Sequence, residues 1–204
     1  MRVLITDSLF ACKVAAMRAA EDGDKWTEVW EGTTVMPALP NDEHQELQAR
    51  LLFPLMAVIE YPGLGRVRPG VNVTDRHPNW KENYRGPDVV VYLNGNPARN
   101  HGTYWVGGPD FLVEIASPSE DPTAKNAFYE SVNTREVLVV DRYPWAVELF
   151  QLRAGKLVSA GRSDPANPAV LASGTLPLTF QLRAGKPRPV VVVTHTGTGQ
   201  TWTA

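Results

Sequence analysis

The apolar positions fall into short runs separated by proline- and glycine-rich stretches, and the spacing inside each run distinguishes helix from strand. From Asn41-Asp42 onward, His44, Leu47, Leu51, Leu55 and Val58 recur at offsets of three and four, one face of a helix. Gln45, three residues after Asp42, completes a capping-box pattern at its start. Pro54 predicts a kink, because it has no N–H to return to Arg50. Strand-length runs follow at 88–93, 111–116, 136–141 and 146–152, the last two joined by a turn at Tyr143-Pro144. Upstream, 26–36 predicts a hairpin with strands at 28–30 and 33–36, a turn at Glu31-Gly32, and a stop at Pro37 and Pro40. The stretch 62–87 predicts short strands, notably Val71-Asn72-Val73, between loops. After Pro118 and Pro122 a short helix is predicted from about Thr123 to Val132.

The ends of the chain carry weaker patterns. Residues 1–24 are alanine-rich and predict a helical lead-in that closes on the turn Glu21-Asp22-Gly23-Asp24. Thr194 to Ala204 is polar and predicts a frayed tail, apart from Trp202. The heptapeptide Phe-Gln-Leu-Arg-Ala-Gly-Lys occurs at 150–156 and again at 180–186. Two copies predict two similar hairpins, since repeat architectures need three or more units.

Composition narrows the reading. The 204 residues, 43% hydrophobic, are enough for one substantial core. A net charge of −2 excludes a strongly basic nucleic-acid-binding surface but leaves room for a local patch. Between Tyr61 and His101 there are six basic residues against three acidic ones, read equally well as a phosphate-facing patch or a solvated loop face. Cys12 is the single cysteine, which excludes a disulfide framework and a cysteine-rich zinc site. No run has the length of a membrane span and the first residues lack a signal-peptide core, so a soluble cytoplasmic protein is expected. The four histidines have no zinc spacing, no Walker-type glycine loop is present, and Ser117 and Ser119 lack a nucleophile elbow.

Three polar residues stand where a fold would not ordinarily place them. Glu114 interrupts the apolar run 111–116, sharing its strand face with Leu112 and Ala116. A carboxylate there is costly unless it is paired, binds a cation or faces water at a sheet edge. Asp88 follows Pro87 and opens the run 88–93; alone it reads as turn chemistry, and its interest lies in a second carboxylate within one strand spacing of Glu114. Lys125 lines up with Phe128, Tyr129 and Val132 on one helical face, as a stem lying along apolar surface or as an ammonium aimed at the neighbouring strand end.

Taken together, Gly-Pro-Asp-(Val)3 at 86–91, Glu-Ile-x-Ser-Pro at 114–118 and Lys-x-x-x-Tyr at 125–129 resemble the Uma family of endonucleases. That family lies within the PD-(D/E)XK restriction-endonuclease-like superfamily. The segments Glu28–Gly32, Pro40–Gln45 and Val139–Arg142 resemble it too, and the likeness covers roughly 26–155. It implies an α/β fold: a restriction-endonuclease-like central mixed β-sheet flanked by helices, with extra β-hairpins. A helical lead-in at 1–25, a single endonuclease-like domain at 26–190 and a C-terminal strand or tail at 191–204 are expected.

The resemblance also implies metal-dependent hydrolysis of DNA, with Asp88 and Glu114 holding Mg2+ (or Mn2+) and Lys125 as the catalytic lysine. The superfamily's usual lysine lies two residues after the glutamate, where this chain has Ala116, so Lys125 on the following helix takes its place. An acid from the first core helix is also implied; Glu43 is the candidate, with His44 and Glu46 as rivals. DNA is the expected partner, and a homodimer is expected by analogy. Two other readings stay open: a non-catalytic nucleic-acid-binding or protein-interaction module, and a dimeric structural protein joined through the 146–186 hairpins.

Overall fold

The computed structural model describes residues 3–20, 27–36, 39–117, 121 and 123–204. The predicted turn at 21–24, Trp26, Pro37, Pro118 and Pro122 lie outside them. The first element is a strand, β1 (Val3–Ile5), and the helix α1 (Ser8–Ala20) follows it. The helical lead-in is present as α1 and is corrected only at its start: Val3–Ile5 pairs with a strand whose partner residues lie at 34–36, a contact local pattern does not reveal. The hairpin β2 (Glu28–Trp30) and β3 (Thr33–Met36) forms as predicted, with Glu31 and Gly32 both at positive φ in the turn.

Helix α2 (Asp42–Leu55) starts where the capping residues place it, the Asn41 side chain accepting from the His44 N–H. The helix passes through Pro54 and then widens into a π-turn over Met56–Glu60, where the Tyr61 N–H reaches the Met56 carbonyl at 2.9 Å. The lost hydrogen bond at proline is thus followed by one wider turn. His44, Leu47, Leu51 and Leu55 form its buried face.

Next come β4 (Gly65–Pro69), β5 (Asn72–Thr74), β6 (Tyr84–Arg85), β7 (Val89–Leu93), β8 (Arg99–Asn100), β9 (Tyr104–Val106) and β10 (Phe111–Ile115). Helix α3 (Asn126–Ser131) then leads to β11 (Glu136–Arg142), β12 (Trp145–Arg153) and β13 (Lys156–Ser163). The last strands are β14 (Leu171–Ala172), β15 (Leu178–Arg183), β16 (Val190–His195) and β17 (Thr201–Thr203).

The central sheet has the order β13-β12-β11-β10-β7-β4 and is mixed. Strands β10 and β11 run parallel, joined by α3 as the crossover, while β10 and β7 run antiparallel with Val113 opposite Val89. One face packs on α2 and on the sheet β14-β15-β16-β17 in an almost wholly aliphatic core that includes Val113, Ile115, Leu138, Leu51 and Leu182. The other face, with Leu112, Val139 and Val90, packs on Phe128, Tyr129 and Val132 of the α3 segment and on Val73 and Trp105 of the third sheet. That third sheet has the order β1-β3-β2-β6-β5-β9-β8.

The C-terminal segment is not frayed. Strand β17 pairs with β16, and Ala204 exchanges both backbone hydrogen bonds with Val191. The repeated heptapeptide closes two different turns. At 150–156 a two-residue turn, Ala154-Gly155 with both φ positive, joins β12 to β13. At 180–186 the same residues run into Pro187, and the loop 184–189 joins β15 to β16. Proline has no N–H for the ladder, so the pairing cannot resume there.

Candidate active site

Extending the β7–β10 register by one residue sets Asp88 opposite Glu114. Asp88 sits just before β7, where its side chain can turn around the strand end. Oδ2 accepts the Ile115 N–H at 2.7 Å, and Oδ1 lies 3.2 Å from Nε2 of His44 on α2. Its carbonyl accepts from Gln48 Nε2 at 2.7 Å and from the Gly70 N–H at 3.0 Å. Asp88 therefore ties the two central strands to α2. His44 is buried, and its Nδ1 has no hydrogen-bond partner.

Glu114 projects from the opposite face to Val113 and Ile115, toward α3. Lys125 occupies the N-cap position of α3, with Phe128 and Tyr129 donating backbone N–H groups to its carbonyl. Its Nζ lies 3.0 Å from each carboxylate oxygen of Glu114 and 2.7 Å from Oε1 of Glu28. The Tyr129 hydroxyl donates to Oε1 of Glu114. The lysine side chain is only 12% exposed, so the ammonium is held inside the protein. The end of α3 is fixed by Gly108, whose N–H bonds the Val132 carbonyl; a Cβ there would stand 2.5 Å from the Thr134 nitrogen.

Glu28 was not among the predicted site residues. It enters from β2, nearly full buried, accepting from Trp30 Nε1 at 2.8 Å and from the Gly86 N–H at 3.1 Å. Its signal in the sequence was a carboxylate opening an otherwise apolar hairpin strand, but the lysine it meets lies far along the chain. Arg85 braces this corner, its guanidinium lying between the rings of Trp30 (4.5 Å) and Phe128 (4.3 Å) and donating to the Val29 carbonyl at 2.8 Å.

Glu43 is placed differently. It pairs with Arg142 at 3.1 Å and lies 3.8 Å from Arg188, while Glu46 pairs with Arg188 at 2.9 Å. On α2 it is His44 that turns to Asp88. His44 belongs to the apolar stripe with Leu47 and Leu51, whereas Glu43 does not.

Two carboxylates, Glu114 and Glu28, hold one ammonium with the charge of Asp88 beyond them, and the electrostatics follow. Burial pushes the Glu114 carboxyl up; Lys125 opposes this, but the charges of Asp88 and Glu28 add to it, and the result is about 7. Burial acts on Glu28 in the same sense, yet Lys125 and the hydrogen bonds from Lys125, Trp30 and Gly86 hold it below the ordinary carboxylate range. Burial alone would drive the proton off Lys125, but Glu114 and Glu28 beside it, with Asp88 beyond, bind that proton more tightly than on a free lysine. Burial, Glu114 and Glu28 likewise keep Tyr129 a neutral donor.

The sequence profile of the family described as "Uma2: Putative restriction endonuclease" matches residues 14–185, most of the chain. The chain belongs to the Uma2 family. The fold agrees: a crystal structure described as a "putative nuclease belonging to DUF820", from Anabaena variabilis, superposes with a TM-score of 0.58. The two are 16% identical, over 74% of this chain and 82% of that one. No curated protein matches the chain. Among the described residues no helix is long and apolar enough to cross a membrane.

Among the described residues, no three His, Cys, Asp or Glu side chains are gathered as a ready-made metal cage. The donor chemistry nonetheless fits a hard divalent cation. Asp88, just before β7, and Glu114 on β10 offer carboxylate oxygens, and a cation would favour the ionised form of Glu114, which burial chiefly and the charges of Asp88 and Glu28 further disfavour. Magnesium in particular is commonly held by one or two carboxylates, with waters and substrate phosphates completing its shell.

Proposed function

We propose that this Uma2 protein is a metal-dependent endonuclease that hydrolyses DNA phosphodiester bonds at the Asp88–Glu114–Lys125 site. The observation that carries the reading is the buried Lys125 ammonium in contact with Glu114, with the Asp88 carboxylate set across the neighbouring strand. A cation held by Asp88 and Glu114 would supply polarisation of the scissile phosphate and a lowered pKa for bound water.

The protein's own residues supply the remainder. Asp88 is oriented by the Ile115 N–H and His44. Glu114 is oriented by the Tyr129 hydroxyl. Lys125 stays protonated and sets a fixed positive charge against the negative charge that develops on a phosphoryl group. Glu114 holds a proton below about pH 7, and the proton competes with a cation for the same oxygens, so metal affinity rises with pH through that range.

The test is nicking of supercoiled plasmid with Mg2+ or Mn2+. Cleavage is expected to disappear on chelation and in Asp88→Asn, Glu114→Gln and Lys125→Met alike. Cleavage that survives all three substitutions overturns the site. DNA binding with a steep salt dependence but no cleavage under any metal selects the non-catalytic binding module instead.

A further inference from the structure

Lys125 has two carboxylate partners of unequal character. Glu114 is one of the pair that would hold a cation, and in this structure both its oxygens face the ammonium at 3.0 Å. Glu28 approaches more closely, at 2.7 Å, and its own oxygens are pinned by the Trp30 indole and the Gly86 backbone. Those anchors come from β2 and from the segment leading into Asp88, not from α3, so Glu28 does not depend on the lysine for its position. A cation on Glu114 would withdraw much of that carboxylate's hold on the ammonium. A buried ammonium without a carboxylate partner is costly and would swing toward water or lose its proton.

Resting on the nuclease reading above, we infer that Glu28 is a positioning residue. It is the permanent anchor that keeps the Lys125 ammonium at the site when Glu114 turns to a cation. Lys125 is then handed from two partners to one without leaving its place. Glu28 touches neither substrate nor metal and acts through Lys125.

The lysine ammonium can be followed directly by its 1H–15N correlation, which is visible only while its protons are shielded from exchange with water. The assignment comes from its loss in Lys125→Met. Glu114→Gln imitates the neutralised carboxylate without any metal. The Lys125 signal is expected to persist in Glu114→Gln and to vanish in Glu28→Gln/Glu114→Gln, with near-ultraviolet circular dichroism confirming that both are folded. Loss of the signal already in Glu114→Gln, or its survival in the double variant, overturns the inference. If the double variant does not fold, Glu28→Asp/Glu114→Gln, which keeps the charge on a shorter stem, is expected to retain a shifted signal; its loss there counts against the anchor.

Titration with Mg2+ alone separates the two readings. In the wild type the signal is expected to shift and remain; in Glu28→Gln the same titration is expected to erase it. In Glu28→Gln, kcat for plasmid nicking falls about 10²-fold with KM for DNA little changed, and Glu28→Asp recovers part of it. If Mg2+ moves nothing and no variant cleaves DNA while the metal-free NMR pattern holds, the anchor stands and the nuclease reading falls.

Discussion

The two faces of strand β10 are built on opposite terms. Phe111, Val113 and Ile115 enter a core of aliphatic and aromatic side chains closed by α2 and the C-terminal sheet. On the other face Leu112 enters a second apolar cluster, but Glu114, one step along, meets an ammonium and a phenol within the field of two further carboxylates. The first face supplies stability by removing apolar surface from water. The second keeps charges out of water, which stabilises little and is sensible only if those charges have work to do. The strand at the centre of the sheet thus also carries the candidate site.

Breaking the charged face at its centre is expected to have the largest effect. Lys125→Met leaves Glu28 and Glu114 without their cation and should lower stability by about 3–5 kcal/mol in urea unfolding. The triple change Glu28→Gln/Glu114→Gln/Lys125→Met should recover most of that loss, because buried charges replaced together cost little. If the triple variant is as unstable as the single one, the charged face is a structural element and the contrast fails.

The aliphatic face admits no such recovery. Leu138→Ala should cost about 2–5 kcal/mol by opening a cavity, with Mg2+-dependent nicking retained below the shifted melting temperature. Loss of nicking in protein shown to be folded would mean that the two faces are coupled.

Acidity sharpens the contrast further. Glu114 has its pKa raised on folding, from near 4.5 to about 7, so the native state binds the extra proton. Stability should therefore fall as pH rises between these values, and Glu114→Gln should remove that slope. Glu28 has the opposite sign: its contribution is present above the ordinary carboxylate range and is lost as pH falls through its lowered value. Thermal unfolding between about pH 2 and 8 in the two single Gln variants resolves the pair, and identical slopes would contradict the assignment.

The smallest effect belongs to the start of α2. Asn41→Ala removes the cap on the His44 N–H and the 2.8 Å contact to Arg142, at an expected cost of about 1 kcal/mol by urea unfolding. A change well beyond that would show that the cap also governs how His44 is delivered to Asp88.

Much of the fold is legible in the sequence wherever period and punctuation agree. The 28–36 hairpin, α2 taken with its π-turn, and the runs that became β7, β10, β11 and β12 lie within a residue or so of their predicted limits. What local pattern missed is pairing across long separations. Val3–Ile5 is a strand because β3 lies beside it, and Thr201–Thr203 because β16 does. The same limit applies to the site. Glu114 stands out because its strand neighbours are apolar, and Lys125 because of the family-like pattern. Glu28 is indistinct until β2 is folded against α3, and on α2 only the apolar stripe separates the inward His44 from Glu43.

The Asp88 carboxylate has one further implication. Its two oxygens are held by a backbone amide of β10 and by a histidine of α2, elements that meet only after the central sheet has paired and the helix has docked on it. A chain with either step incomplete lacks one of the two contacts that hold Asp88. Placement of the Asp88 carboxylate therefore reports on two long-range steps at once, strand pairing and helix docking.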